Sequence, residues 1–142
     1  MPEWYGNMTS PISRIRCFTA DFQEPYVLLR YHKKTPLFDE RFVNYGYNKV
    51  QLFEHLRSAG FRFYIWNHCF AMDLPHPDSS LRKAYIDEIK GETSEMRELY
   101  KDFQAELNEK YRNVNPSRIC FSLQKRYFVE VHCHVFFTNV PL

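Results

Sequence analysis

The sequence predicts an α/β domain, and three stretches carry that reading. From Asn48 onward, Val50, Leu52, Phe53, Leu56 and Ala59 recur at helical spacing and run into Gly60, where a helix end favours a residue that tolerates a left-handed backbone. Residues 61–66, Phe-Arg-Phe-Tyr-Ile-Trp, follow at once and are rich in aromatic and β-branched side chains, so the chain passes from helix into strand. Further on, Met96, Leu99, Tyr100, Phe103, Leu107 and Tyr111 keep a three-four spacing with Glu, Lys and Arg opposite, as in an amphipathic helix docked on a core. Loop, helix and strand returning to one sheet is α/β architecture.

The other elements follow from local signals. Residues 1–24 hold the turn formers Pro2, Gly6, Asn7 and Pro11 without a sustained period, so a loop-rich opening is expected, with a short strand at residues 15–19. Residues 26–29, Tyr-Val-Leu-Leu, follow Pro25 and end at Arg30 and the basic group His32, Lys33 and Lys34, which predicts a short buried strand surfacing there. The helix from Asn48 to residue 59 has Asn48 as a competent N-cap. A short helix is expected over residues 81–90, broken at Gly91, and Thr93 or Ser94 caps the long one, which Asn113 and Pro116 stop. Residues 127–137 alternate with period two and predict a last strand, with His132 and His134 on one face as either a metal-binding pair or a plain polar edge.

Composition limits the function classes. With 142 residues and 18% aromatics the chain is long enough for one packed domain or part of one. A net charge of +2, and no Lys/Arg run beyond two, exclude a nucleic-acid stripe. No apolar stretch reaches the roughly 20 residues of a membrane helix, and the N-terminus lacks the layout of a signal peptide. Asn7-Met8-Thr9 is a glycosylation acceptor, whereas Asn115-Pro116-Ser117 is blocked by its proline. Cys17, Cys69, Cys120 and Cys133 form no Cys-x-x-Cys pair, which disfavours a zinc ribbon and leaves either up to two disulfides or free thiols.

Two stretches carry candidate chemistry. Residues 36–53 combine a proline turn, the acidic pair Asp39 and Glu40, Gly46 between Tyr45 and Tyr47, and Asn48 at the helix start. Aromatic faces cover sugar C–H groups and fixed polar groups read hydroxyls, so this loop fits a saccharide or a phosphate-bearing ligand, the alternative being a well-packed loop. Residues 70–80 place Asp73, His76 and Asp78 on one proline-rich loop, a ligand set for Mn²⁺ or Mg²⁺ or else a polar turn.

In order, Glu24-Pro25-Tyr26-Val27, then Phe38-Asp39-Glu40-Arg41-Phe42 with Tyr45-Gly46-Tyr47-Asn48-Lys49-Val50, then Gly60-Phe61 with Phe63, then Asp73-Leu74-Pro75-His76, resemble the C-terminal half of glycosyltransferase family 49. The helix after Glu95 and the Pro116, Arg118, Cys120 pattern extend that resemblance, so it covers residues 24 to 120. It implies part of a GT-A fold, a Rossmann-like nucleotide-sugar domain, over residues 1–120, with residues 121–142 running past the family's usual end as an extension that includes the last strand. It also implies an inverting transferase in the Golgi lumen that uses UDP-glucuronic acid and Mn²⁺ and extends a xylose-terminated O-mannosyl glycan, with a partner glycosyltransferase among its expected contacts. In such chemistry the metal holds the leaving diphosphate while a base takes the acceptor's proton.

The departures shape the expectation equally. Family members carry an Asp-x-Asp metal motif upstream, and none occurs in these residues, so the resemblance implies a truncated chain, inactive by itself, that lacks the donor and metal half. Asp73 stands where the family has a metal-ligating histidine, and His76, which matches a second family histidine, is expected to serve as a substitute ligand or a phosphate contact. Where related GT-A signatures place acceptor-side acids this chain has Tyr47, Asn48 and Lys49, which leaves Asp39 or Glu40 as the base or as turn caps, and Tyr45, Gly46, Tyr47, Asn48 and His76 as substrate contacts. The alternatives are a family member of N-acetylglucosaminyl type and a non-catalytic glycan-binding or partner module.

Overall fold

The computed structural model describes residues 10–18, 20, 22–43, 46–67, 77, 79–90, 95–120 and 135–139. The strands are β1 (Ile12–Arg14), β2 (Cys17–Phe18), β3 (Tyr26–Leu29), β4 (Arg62–Trp66), β5 (Arg118–Ile119) and β6 (Val135–Asn139), and the helices α1 (Asn48–Ser58), α2 (Ser80–Lys90) and α3 (Glu95–Lys110). Four of the strands form one sheet in the order β1-β4-β6-β3, and β2 pairs with β5 in a second, parallel ribbon. Within the larger sheet β4 runs antiparallel to β1 and β6, and β3 runs parallel to β6. The mixture of helix and small sheets agrees with the expected α/β class.

The helix predicted from Asn48 forms and ends as its glycine requires. Gly60 has φ +81°, its N–H donates to Arg57 O at 3.1 Å, and Phe61 N–H donates to Leu56 O at 3.1 Å. These are the two bonds of a Schellman terminus, which satisfy carbonyls the helix would otherwise leave open. A Cβ at Gly60 would meet Val114 Cγ1 at 2.8 Å, so close approach and backbone sign both demand glycine.

The other helix end corrects the sequence reading. The N-cap is Tyr47, held at φ 57° and ψ −13° with no side-chain cap hydrogen bond, and Asn48 is already the first helical residue. Among the described residues Asn48 Oδ1 accepts only the adjacent Lys49 N–H, at 2.8 Å. A left-handed turn through Gly46 and Tyr47, closed by Asn48 N–H on Gly46 O at 2.8 Å, replaces the side-chain cap.

Two clusters make the core. Phe53 and Leu56 of α1 pack with Phe18, Phe61 and Phe63, with Val27, Leu29 and Ile65 of the sheet against them. Phe18 meets Phe53 and Phe63 edge-on at 4.8 and 5.0 Å, the geometry the ring quadrupoles favour. On the other side of α1, Val50 joins Phe42 and the α3 residues Tyr100, Phe103 and Leu107. Truncating a ring such as Phe53, 1% exposed, to alanine costs about 3–5 kcal/mol in a core of this kind.

Alternation sorts the sheet into two faces. Phe63 and Ile65 point to α1, so the register places Ile12, opposite Trp66, and Leu28, opposite Phe137, on the far face with Tyr26. Ile12, Tyr26, Leu28 and Trp66 are all exposed among the described residues.

Strand boundaries show where local signals ran out. The strand expected at residues 15–19 is realised as Cys17–Phe18, and β1 and β5 were not foreseen, because two- and three-residue strands with Ser and Arg carry no readable alternation. The strand expected over residues 127–137 is seen as Val135–Asn139, with 127–134, including His132 and His134, outside the described residues. β6 lies between β4 and β3 in the sheet, so residues of the C-terminal extension pair with both. Of the cysteines, Cys17 and Cys120 form a disulfide joining β2 to the end of β5, with Cα atoms 5.2 Å apart.

Candidate functional site

The loop before α1 is fastened to α3 by one apolar anchor and one ionic clamp. Phe42 is buried, 5.5 Å from Phe103 and 6.5 Å from Tyr100 by ring centroids, and its N–H donates to Asp39 O at 3.1 Å. Arg41 bridges two carboxylates: Nε and Nη2 donate to Asp39 at 3.0 and 2.7 Å, while Nη1 and Nη2 donate to Glu106 of α3 at 2.8 and 2.7 Å. The Arg41 backbone N–H adds a third kind of donor to Asp39, at 3.0 Å. Planar guanidinium matches paired carboxylates in this forked geometry.

That clamp gives the two acids of the pair different environments. The hydrogen bonds from the Arg41 side chain hold the Asp39 carboxyl below the usual aspartate range, with the nearby positive charge acting in the same sense against partial burial. A carboxylate already engaged by donors and acidified by them is a weaker proton acceptor. Glu40, next in sequence, is exposed.

The residues expected to contact substrate occupy different environments. Gly46 is buried at φ +95°, and a Cβ there would meet the Tyr85 ring of α2 at 2.6 Å. Tyr47 is half-buried, its ring tilted against Tyr100 at 4.7 Å and edge-on to Phe22 at 5.2 Å. These packing contacts account for both residues structurally. Asn48 stays half-buried at the helix start, and Lys49 beside it reaches Glu24 at 3.5 Å and lies 5.9 Å from the Tyr26 ring centroid. Tyr45, Asp73, His76 and the acceptor Asn7 lie outside the described residues.

His55, one face further along α1, was not singled out by the sequence. Its Nε2 lies 3.1 Å from Tyr111 Oη, its ring is 5.9 Å from that of Phe103, and burial, with Lys110 acting in the same sense and Asp39 against, brings its pKa down to about 4. It is therefore neutral at physiological pH. Arg41 stood inside the candidate stretch and could have been read from its charge. Glu106 was invisible as its partner, being 65 residues away. An open cleft among the described residues lies instead at the C-terminal ends of α1 and α3, lined by Ser58, Leu107, Asn108, Tyr111 and Val114, and includes none of the sequence candidates.

No group of three His, Cys, Asp or Glu side chains that could hold a metal gathers among the described residues. These residues do not by themselves compose a shell for Mn²⁺. What they offer is a segment clamped at Arg41 with an exposed Glu40 beside it.

Comparison with known proteins gives a consistent answer. The sequence model of a family described as "Glycosyl-transferase for dystroglycan" matches residues 4–112. The chain is 35% identical over 80 residues to beta-1,4-glucuronyltransferase 1 of Homo sapiens, covering 56% of this chain and 19% of that protein. It is 30% identical over 93 residues to xylosyl- and glucuronyltransferase LARGE1 of Danio rerio, covering 65% of this chain and 12% of that protein. It is 38% identical over 60 residues to LARGE1 of Gallus gallus, covering 42% of this chain and 8% of that protein. The chain thus spans less than a fifth of the length of these relatives. No solved structure matches it.

Proposed function

Because the chain belongs to the family of glycosyltransferases for dystroglycan, we propose that it forms the acceptor-side wall of a GT-A glucuronyl-transfer site, with UDP-glucuronic acid as donor and a xylose-terminated O-mannosyl glycan as acceptor. The observation that carries the reading is the family match over residues 4–112, which contains the Arg41-clamped loop. The glucuronyl part of the assignment comes from the names of the relatives. Alternative donors, N-acetylglucosamine included, have no such support.

In the proposed reaction the acceptor hydroxyl attacks the anomeric carbon of the donor as the bond to UDP breaks, which inverts that carbon and sends the leaving electron pair to the diphosphate. The proton of the hydroxyl must pass to a base. Of the two candidates Glu40 takes that role, since its carboxylate is exposed, and Asp39 acts as the strut that holds Glu40 in place through Arg41 and Glu106. Asp73, His76 and Tyr45 are assigned to metal and substrate contact by resemblance. Mn²⁺, if bound with Asp73 and ligands from outside this stretch, would supply charge neutralisation at the diphosphate.

The disulfide between Cys17 and Cys120 supports a lumenal location such as the Golgi, because such bridges persist in oxidising compartments. No helix among the described residues is long and apolar enough to cross a membrane.

A transfer assay with UDP-glucuronic acid, Mn²⁺ and a xylose-terminated acceptor, read by mass spectrometry and anomeric NMR, tests the reading on the polypeptide as the cell makes it. A β-linked glucuronyl product is expected, reduced at least about 100-fold by Glu40→Gln. Product from UDP-N-acetylglucosamine alone would replace the donor. Turnover by the isolated 142-residue chain would place the whole donor site within it, against the expectation from the missing Asp-x-Asp.

A further inference from the structure

The aromatic faces that the fold leaves open are not those of Tyr47. Among the described residues Tyr31 is 70% exposed and Phe38 58%, with Leu37 beside them at 59%. Both rings belong to residues 30–38, where Arg30, Lys33 and Lys34 are also exposed. The segment is built as a fixed turn. Buried Thr35 donates its N–H to His32 O at 2.8 Å, and its hydroxyl accepts the His32 N–H at 2.9 Å and donates to Arg30 O at 3.5 Å. Lys34 N–H donates to His32 Nδ1 at 3.3 Å, and Pro36 is buried behind the turn.

The cations are the second observation. Elsewhere Lys49, Arg57, Lys101 and Arg112 each sit on a carboxylate. Among the described residues none of Arg30, Lys33 and Lys34 is ion-paired. The described acids that flank the segment along the chain are Glu24, paired with Lys49, Asp39, already taken by Arg41, and Glu40. In a chain of net charge +2 this is a local concentration of unneutralised positive charge beside open rings.

We propose that residues 30–38 bind an acidic oligosaccharide, with Tyr31 and Phe38 covering the C–H faces of sugar rings while Arg30, Lys33 and Lys34 pair with uronic-acid carboxylates. The choice of uronic acids rests on the glucuronyl-transfer reading, since a transferase of that kind makes an acidic glycan. A neutral glycan would use the rings and leave the cations idle, whereas this one short segment carries both kinds of group exposed. The site would retain a glycan already bearing glucuronate near the acceptor-side loop that begins at Pro36.

The test is calorimetric titration of the chain with an unsulfated chondroitin hexasaccharide, which alternates glucuronate with a neutral sugar, against xylohexaose and against phosphatidylserine vesicles. Chondroitin is expected to bind at least about tenfold more tightly than xylohexaose, with affinity falling as salt rises. Tyr31→Ala and Phe38→Ala should each weaken it about fivefold or more, and Lys33→Glu with Lys34→Glu about tenfold or more, at unchanged thermal midpoint because these side chains are exposed. Equal affinity for both sugars, indifference to the variants, no binding at millimolar sugar, or binding to vesicles alone would each overturn the site. Sugar binding by the chain, with no transfer activity in the polypeptide as the cell makes it, would sink the enzyme reading and leave this site standing. Transfer activity without loop-dependent binding would do the reverse.

Discussion

Single residues in this protein are constrained mostly by what lies directly against them. Gly46 combines φ +95° with a Tyr85 ring atom 2.6 Å from where a Cβ would stand. Gly46→Ala is therefore expected to lose about 1–3 kcal/mol from backbone strain alone, read as a lowered urea midpoint. His55 makes stability depend on pH. Its pKa is about 4 in the fold against an ordinary value of 6.5, so between those values the unfolded chain binds a proton that the folded chain refuses. Stability must then fall as pH drops through this window, by on the order of 1–2 kcal/mol once solvent screening of a half-buried ring is allowed for, and His55→Gln should flatten the loss. Asp39 works in a lower range. Its depressed pKa contributes stability above the ordinary aspartate value that disappears as pH falls through the folded value. Acid denaturation monitored by tryptophan fluorescence separates the two, because position 55 acts chiefly on the first phase and touches the second only through its charge interaction with Asp39.

At the scale of elements, α1 is the member on which both clusters are built. One side meets the sheet through Phe53 and Leu56, and the other meets α3 through Val50. Between them Gln51 is 0% exposed, and neither of its amide atoms has a hydrogen-bond partner among the described residues. A buried amide left unpaired costs about 1–3 kcal/mol, so Gln51→Leu is expected to raise stability by about 1 kcal/mol or more in the same denaturation assay. A stability loss on that substitution would point to a bound water or other polar group that the amide serves. Glu54 shows the contrasting solution. It is 4% exposed but bound by Arg57, whose Nε donates to it at 2.8 Å while Nη1 reaches Ser117 O at 2.8 Å, so the pair ties α1 to the segment that leads into β5.

The whole molecule is closed by a covalent link. Cys17 and Cys120 are separated by 103 residues, so their bridge removes much of the conformational freedom of the unfolded chain. Loop-closure entropy for a ring of that size predicts a loss of roughly 3–5 kcal/mol when it is opened. Thermal unfolding with and without reductant, and of the Cys17→Ser, Cys120→Ser double variant, should show the same drop. The link also fixes register, because it joins the two strands of the small ribbon where Cys120 N–H donates to Phe18 O at 2.6 Å.

The amino-acid sequence by itself determined the elements whose signals are local. The helix at Asn48 with its Gly60 terminus, the strand after it, the Tyr26–Leu29 strand and the long helix on Tyr100, Phe103 and Leu107 all follow from periodicity and end-capping chemistry within a few residues. Family membership was legible for a different reason, since ordered motifs such as Phe38-Asp39-Glu40-Arg41-Phe42 are read along the chain whatever their residues touch. Tertiary structure alone decided what depends on distant partners. It paired Cys17 with Cys120, tied Arg41 to Glu106, packed the Tyr47 ring on Tyr100, and made Tyr47 the helix cap in place of Asn48. It also left Tyr31 and Phe38 open beside cations without carboxylate partners among the described residues. No spacing along a chain encodes such contacts, because they are set by which surfaces meet when helices and strands pack.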